Sequence, residues 1–251
     1  MALEITWYDN TAFRVATDEH VIWFDPSVNK NPGSPIRTED IREKADFVFT
    51  THGDPGHFTN SVEITRRTGA RFVGPEDLCN FILDNKQLSP DLVVPLKFEV
   101  TQYIDGLEVY LFKAVHPELT PRLIEHVREW GGGVKTRNGG FVVRGKGYCL
   151  CLVGDCIHSE VFKKAGLKFE IDIGMIPVQG RMHQDSSHEE AAEHGARIVR
   201  DLNLKVLFPA IQYTFEMGRI DPLKRRLKEM GIYPRIIMEK PGTVHRLEAF
   251  G

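Results

Sequence analysis

The sequence lacks the features of a secreted, membrane-bound or nucleic-acid-binding protein. Four cysteines occur in 251 residues, three of them within 149–156, and this distribution is unlike a disulfide framework. No apolar run approaches the roughly 20 residues that span a bilayer, and the start MALEITWYDN has no basic end followed by an apolar core. The net charge of −3 gives no reason to expect nucleic acid or an anionic membrane as partner. We therefore expect a cytoplasmic protein.

The chain also shows no internal repeat, linker or low-complexity segment. Its composition, 41% hydrophobic and 27% charged, is ordinary for a globular protein, and its length suits one large domain. We therefore expect residues 1–251 to form a single domain. A segment of helical spacing at 121–130 ends at three consecutive glycines, which predicts a helical insertion around 118–133.

Apolar periodicity, caps and turn residues predict the secondary structure. Strands are expected at 3–7, 12–16, 21–24, 46–50, 71–73, 140–144, 148–153, 171–176, 206–209, 236–238 and 243–247, with strand-like pieces in 93–112 around the turn Asp105–Gly106. Helices are expected at 41–44, 60–68, 76–83, 187–202 and 222–230. This order predicts an α/β fold in which two sheets pack together with helices outside.

The densest group of candidate metal ligands directly follows the strand predicted at 46–50. His52, Asp54 and His57 fall within six residues, on a loop that Gly53, Pro55 and Gly56 make tight. Side chains two apart on an extended chain point the same way, so His52 and Asp54 can bind one ion. His57 lies beyond the turn and can approach from another side. The alternative is a polar turn that happens to hold two histidines.

Two further candidates also follow predicted strands. His116 comes just after the apolar run 109–112, and Asp155 follows Gly154 after the strand predicted at 148–153. Either residue alone is more typical of a solvated or hydrogen-bonded side chain than of a ligand. A catalytic ion needs about three protein ligands and one open position, and the order of these candidates along the chain can supply them.

That order resembles the metallo-β-lactamase superfamily, and within it the small cytosolic metal-dependent hydrolases related to ascorbate-6-phosphate lactonase. The resemblance covers nearly the whole chain. It is carried by 5–7, Phe24-Asp25-Pro26, Asn31-Pro32, Ala45-Asp46, 51–57, His116, Gly154-Asp155, Pro209, Thr214-Phe215 and Pro241-Gly242. It implies a four-layer αββα sandwich, a metal centre at the sheet edge, and hydrolysis by metal-bound hydroxide.

The sequence departs from the family motif His-x-His-x-Asp-His at two positions. Asp54 stands in place of the second histidine, and Gly56 stands in place of the aspartate. A late family histidine, two residues after a proline, corresponds here to Ile211, which follows Pro209. The changes therefore fall unevenly on the two metal sites of the family.

The resemblance implies an intact first metal site and a depleted second one. In the family, one ion takes the positions of His52, Asp54 and His116, and Asp155 matches the carboxylate that bridges both ions. The other ion takes positions 56, 57 and 211, of which only His57 keeps a ligand. We therefore expect one ion, with two as the alternative. Asp155 and His57 are the expected catalytic residues, with His57 free to bind substrate or transfer a proton.

Other residues can restore the second site or bind substrate. His183 lies in a loop before the helix predicted at 187–202, where this branch has substrate-facing residues, and Gln212 reaches the late ligand position after a one-residue shift. Arg181 is a candidate for binding an anionic group. For each of these residues, an ordinary surface position is the alternative.

The function that these expectations support is hydrolysis of a small lactone, ester or phosphate ester by a divalent ion, Zn²⁺ or Mn²⁺. The carboxylate at Asp54 favours Mn²⁺ or Fe²⁺ relative to Zn²⁺ more than an all-histidine site would. The expected partner is a small molecule, with an anionic one among the candidates, and a homo-oligomer is left open. The alternative is a degenerate family member that binds metal or ligand without efficient catalysis. Nuclease action is disfavoured by the acidic charge balance.

Overall fold

Two seven-stranded sheets form the frame of the molecule. The computed structural model describes residues 2–29, 31–117, 133–178, 188–210, 220–248 and 250. Strands β1 to β6 are Ala2–Trp7, Phe13–Ala16, Val21–Phe24, Phe47–Phe49, Arg71–Pro75 and Val93–Leu96. Strands β7 to β14 are Thr101–Ile104, Leu107–Lys113, Gly139–Gly145, Tyr148–Val153, Ile173–Pro177, Val206–Ala210, Arg235–Ile236 and Val244–Glu248.

Each sheet has an antiparallel half and a parallel half. The first sheet has the order β14-β1-β2-β3-β4-β5-β6, and the second has β13-β12-β11-β10-β9-β8-β7. Pairing is antiparallel from β14 to β3 and parallel from β3 to β6. In the second sheet it is antiparallel from β7 to β10 and parallel from β10 to β13. A meander followed by alternating helices, as the sequence predicts, gives this arrangement in each half.

The two sheets pack face to face over a shared apolar core. Phe49 of β4 meets Phe141 of β9 edge-on, with ring centroids 5.2 Å apart. Phe13 and Phe208 make a second edge-on contact at 6.3 Å. All four rings are buried, at 2% exposure or less. Aromatic rings of this size bury much of the apolar area that stabilises the sandwich.

Helices cover the outer face of each sheet. The helices are α1 Pro55–Phe58, α2 Ser61–Thr68, α3 Glu76–Asp84, α4 Glu160–Lys168, α5 His188–Leu202 and α6 Ile220–Glu229. Ile64 of α2 packs with Trp23 and Val48 behind the first sheet. Phe162 of α4 lies edge-on to Phe112 of β8 at 5.7 Å, on the outer side of the second sheet. The expected four-layer αββα sandwich is confirmed.

Most of the predicted elements are present within about two residues of their expected ends. The turn Asp105–Gly106 joins β7 to β8, with φ of 45° and 84°. Positive φ at both central residues is the geometry of a two-residue hairpin, which explains aspartate followed by glycine there. The expected insertion at 118–133 falls almost entirely outside the described residues.

One expected helix is absent, and two short helices were not expected. The helix expected at 41–44 is absent, and a short 3-10 turn at Thr38–Asp40 lies just before it, because Ile41 is buried as the chain turns towards β4. Asn60 does not cap α2 with its side chain. Its Oδ1 instead accepts hydrogen bonds from the backbone N–H groups of Val28 and Asn29. Helices α1 and α4 were not expected.

The described part of the chain contains no helix that is both long and apolar enough to cross a membrane.

Candidate metal centre

The candidate ligands lie on loops that follow strands from both sheets. His52 and Asp54 follow β4, and His57 lies on the single turn α1 directly after them. His116 follows β8 and Asp155 follows β10. Because β4 belongs to the first sheet and β8 and β10 to the second, the packing of the two sheets brings these loops together.

Four of the predicted ligands form one cluster. Asp54 Oδ2 lies 3.6 Å from His52 Nε2 and 3.4 Å from His116 Nε2. Asp155 Oδ2 lies 4.0 Å from His116 Nε2. One ligand atom each from His52, His116 and Asp155 falls within 4.8 Å of the others. Imidazole and carboxylate groups at this spacing are a donor set for a divalent cation.

Two buried nitrogen atoms in the cluster have no hydrogen-bond partner in the part of the chain that the structure describes. They are Nε2 of His52 and Nε2 of His116. An unpaired buried polar atom costs about 1–3 kcal/mol, and a cation bound between these two atoms would remove that cost. Both atoms face the carboxylates of Asp54 and Asp155. The residues therefore fit a metal ion at this position.

Hydrogen bonds to the other ring nitrogens fix the tautomers. Nδ1 of His116 lies 2.6 Å from the carbonyl oxygen of Pro117, which can only accept, so Nδ1 carries the proton. Nδ1 of His52 lies 3.0 Å from Thr51 Oγ1. Because that hydroxyl donates to Asp25 Oδ2 at 2.7 Å, it accepts from His52. In its neutral form, each ring therefore carries its lone pair on Nε2, as a metal-binding histidine requires. Burial disfavours the charged ring of His116, but Asp54 and Asp155 raise its pKa in the metal-free protein.

Asp25, at the end of β3, organises the loop that carries His52. Its fully buried carboxylate accepts hydrogen bonds from the N–H of Thr51 at 2.8 Å and from the Thr51 hydroxyl. A third comes from Nδ1 of His57, 2.8 Å from Asp25 Oδ2. Asp25 is among the residues that carry the family resemblance, but the sequence alone indicates no role for it. Its partners are 26 and 32 residues away, beyond the reach of a local pattern.

His57 lies between two carboxylates. Its Nδ1 contacts Asp25 and also Thr11 Oγ1 at 2.8 Å, and its Nε2 lies 3.5 Å from Asp155 Oδ1. Burial disfavours the charged ring, but Asp155 and Asp25 outweigh burial and raise the pKa of His57 to about 10. In the metal-free protein, His57 is therefore a protonated imidazolium at neutral pH.

The pKa values of His52, Asp54 and Asp155 are lowered, in contrast to that of His57. Burial and the neighbouring His57 lower the pKa of His52, so its ring is neutral. Burial disfavours the charged forms of Asp54 and Asp155, but the neighbouring histidine rings lower the pKa of both carboxyls. A neutral imidazole beside two carboxylates is the protonation state in which these groups bind a cation.

Asn138, just before β9, connects the three ligand loops. Its carbonyl oxygen accepts from the N–H of Ala114, two residues before His116, at 3.1 Å. Its Nδ2 donates to the carbonyl oxygen of Asp155 at 2.5 Å. The next N–H, of Gly139, donates to Thr51 O at 3.2 Å. Sequence reasoning missed Asn138, because an asparagine in a loop gives no signal of which loops it joins.

The segment 133–137 packs along the ligand loop. Val134 N–H donates to Gly53 O, and Thr136 Oγ1 accepts from Gly53 N–H, each at 2.9 Å. A Cβ on Gly53 would lie 2.3 Å from the carbonyl oxygen of Val134. Position 53 therefore has no room for any other residue, which explains the glycine between His52 and Asp54.

At Gly56, the chain lacks the carboxylate that the family motif provides for a second metal ion. A Cβ at Gly56 would have Asn10 Nδ2, 3.5 Å away, as its nearest neighbour, so the space of a side chain is present without the carboxylate. His57 keeps Nε2 directed at Asp155. Arg181, His183, Ile211 and Gln212 lie outside the described residues, and the expectation of one ion stays a prediction.

Comparisons with known proteins agree with this fold and centre. A family model described as beta-lactamase superfamily domain matches residues 4–210. Two curated relatives named UPF0173 metal-dependent hydrolase, from Hyperthermus butylicus and Methanopyrus kandleri, are 27% and 26% identical over 96% of this chain and 98% of each relative. The solved structure of Igni18, a metallo hydrolase from Ignicoccus hospitalis, is 22% identical, with a TM-score of 0.78 over 99% of both chains.

Two packed sheets with histidines and aspartates at their strand ends define a metallo-β-lactamase type of protein. The family model spans more than three quarters of the sequence, and the chain belongs to the metallo-β-lactamase superfamily.

Replacing Asn138 by alanine should weaken metal binding more than it weakens the fold. Outer hydrogen bonds that orient ligands are worth about 10- to 100-fold in metal affinity, so we expect a loss of that size for Asn138→Ala. Chelator competition measures it, and chemical denaturation of the metal-free protein should show a loss of only about 1 kcal/mol.

Asn85→Ala is the matched control for Asn138→Ala. Asn85 Nδ2 also donates to a backbone carbonyl, that of Phe81, at 2.8 Å, at the end of α3 and away from the centre. This variant should lose stability without a change in metal affinity. Equal metal affinity in Asn138→Ala and the wild type would show that Asn138 does not position the ligands.

The wild-type protein should hold one tightly bound divalent ion per chain. The expectation follows from the missing carboxylate at Gly56, and elemental analysis after dialysis against Zn²⁺ or Mn²⁺ measures it. Asp54→Ala should lower the retained metal, whereas Asp105→Ala, at an exposed turn, should not. Two retained ions in the wild type would contradict the prediction.

His57 in the metal-free protein should titrate near pH 10. Its folded pKa of about 10 lies above the ordinary value of about 6.5. Its stabilising effect is therefore complete below about pH 6.5 and is lost as the pH rises through about 10. NMR titration of the ring measures the midpoint, and Asp155→Asn should lower it while leaving Asp25 in place. A wild-type midpoint near 6.5 would contradict this account.

Proposed function

We propose that the protein is a metal-dependent hydrolase acting on a small lactone, ester or phosphate ester. One divalent ion would be held by His52, Asp54, His116 and Asp155. The observation that carries the proposal is the pair of buried, unpartnered Nε2 atoms of His52 and His116 facing two carboxylates. The names of the curated relatives support the same class of activity.

The chain supplies the ligands and a proton-holding group. A bound divalent ion lowers the pKa of water towards about 7 and polarises the oxygen of the bond under attack. His57 holds a proton beside Asp155, because Asp25 fixes its Nδ1. In this position, His57 can hydrogen-bond the substrate or give a proton to the leaving group, and Asp155 orients it.

The ligand set is harder than an all-histidine set, because Asp54 and Asp155 provide oxygen. We therefore propose that Mn²⁺ or Fe²⁺ competes with Zn²⁺ better than it does at an all-histidine site. A small molecule is the proposed partner, and a cytoplasmic location and the oligomeric state stay expectations from the sequence.

A second candidate function is binding without efficient turnover. Gly56 removes a carboxylate that the family uses, and the space beside it holds Asn10 Nδ2 instead. A centre depleted in this way can keep metal affinity and lose catalysis. The two candidates differ in one measurable property, which is hydrolysis in the presence of saturating metal.

Activity should depend on metal and on Asp155. We expect hydrolysis of at least one member of a panel of lactones, carboxylic esters and phosphate esters after addition of Mn²⁺ or Zn²⁺. Asp155→Asn should lower kcat/KM by about 100-fold or more, since it removes both a ligand and the partner of His57. The panel is assayed with the metal-loaded wild type and variant side by side.

Asp105→Asn is the matched control, because Asp105 is an exposed turn residue that pairs with Arg71. It should leave kcat/KM unchanged. A metal-replete wild type that is silent on the whole panel would favour the binding function over the hydrolase.

A further inference from the structure

A cleft of about 840 Å³ opens directly onto the metal centre. His52, Asp54 and His116 form one side of it. Ligand pockets in proteins commonly have volumes of roughly 300–1,000 Å³, so this cleft can hold a small molecule next to the cluster. Its other sides come from the end of β8, the segment 133–136 and α4.

Apolar side chains line much of the cleft. They are Ala114, Val115, Val134 and Val161. Val115 is 44% exposed, which is high for an aliphatic residue beside a polar centre. A ligand with an apolar body would remove this surface from water, and burial of apolar surface is worth roughly 25 cal/mol per Å². A strongly hydrated ligand would not use these contacts.

Two lysines lie in the same cleft and have no partner among the described residues. Lys113 and Lys135 line it, and neither makes an ion pair or side-chain hydrogen bond within the described ranges of the chain. By contrast, Lys205 binds Asp172 and Glu170, and nearby Arg137 binds Asp77. The two ammonium groups are therefore available to a ligand.

The charge of the cleft depends on whether Asp54 is neutralised. The described lining residues carry two ammonium groups, of Lys113 and Lys135, and two carboxylates, of Asp54 and Glu99. With a cation bound at Asp54, one positive charge is left in excess, on a chain whose net charge is −3. Positive charge in a cleft concentrates anions locally and selects them over neutral molecules.

The two lysines stand on the elements that build the centre. Lys113 is the last residue of β8, three residues before His116. Lys135 lies between Val134 and Thr136, which bond to Gly53 in the ligand loop. The backbone from which each lysine side chain extends is therefore held by the same contacts that place the ligand loops.

We propose that the molecule bound in this cleft has an apolar body and an anionic carboxylate or phosphate group, which Lys113 and Lys135 bind. The inference rests on the proposed function, because it names the class of substrate for that centre. The hydrolysed bond lies at His52, Asp54 and His116, and the apolar body lies along Val115 and Val134.

Binding of simple probes to the Zn²⁺-loaded protein tests the proposal. The probes are hexanoate, hexyl phosphate and neutral 1-hexanol, measured by ligand-observed NMR or calorimetry. We expect Lys113→Gln with Lys135→Gln to weaken both anions about tenfold, the effect of losing about 1.4 kcal/mol of charge-assisted bonding, and to leave hexanol unchanged. Lys113→Arg with Lys135→Arg should retain anion binding.

Lys146→Gln with Lys163→Gln is the matched control. Both lysines are exposed and neither lines the cleft, so this variant has the same net charge as the test variant and should bind the probes as the wild type does. Metal content is measured in every variant, because an anion can also bind the ion itself. Equal anion affinity in the test variant and the control would overturn the proposal.

The failure of this inference can be told apart from failure of the proposed function. Anion binding that depends on the two lysines, without hydrolysis of any ester on the panel, would contradict the proposed hydrolase function. It would support the proposal that the cleft binds an anionic molecule. Hydrolysis of neutral and anionic esters with equal kcat/KM, unchanged in the glutamine variant, would contradict the cleft and support the hydrolase. Tighter binding of hexyl phosphate than hexanoate would support the proposal with phosphate as the group recognised, and the reverse order would support it with carboxylate.

Discussion

The candidate centre depends on one buried carboxylate, that of Asp25. A buried carboxylate is costly unless donors surround it, and Asp25 receives hydrogen bonds from Thr51 N–H, the Thr51 hydroxyl and His57 Nδ1. These bonds fix the ligand loop at the end of β4. They also orient the ring of His57 directly and set the tautomer of His52 through the Thr51 hydroxyl. The Nε2 atoms of His52 and His57 therefore face the metal position because of Asp25, which is not itself a candidate ligand.

The packing of the two sheets determines the rest of the geometry. The first sheet supplies His52 and Asp54, and the second supplies His116 and Asp155. The contact between Phe49 and Phe141 places β4 against β9, and Asn138 and Gly139, at the start of β9, together bond to all three ligand loops. Neither sheet alone carries all four candidate ligands. Metal binding and docking of the sheets should therefore stabilise each other.

The sequence predicted the features that have local signals. Apolar alternation and turn residues identified most strands and the four-layer sandwich, and the residue types and strand-end positions of His52, Asp54, His116 and Asp155 identified a cluster that the fold brings together. The roles of Asp25 and Asn138 depend on contacts far along the chain, so no local pattern reveals them. Helix α4 was missed because Gly166 lies inside it. A Cβ there would lie 2.0 Å from the carbonyl oxygen of Asp201, so the glycine reflects the packing of α4 against α5.

The exchange of histidine for aspartate at position 54 also changes the electrostatics of the centre. A divalent ion between two histidines and one carboxylate keeps a positive charge, whereas Asp54 and Asp155 together would neutralise it. A neutral centre attracts an anionic molecule weakly at a distance. In this chain the positive charge is instead found beside the centre, on Lys113 and Lys135 in the cleft. Lys113 and Lys135 can therefore attract an anionic group that an ion neutralised by Asp54 and Asp155 would attract only weakly.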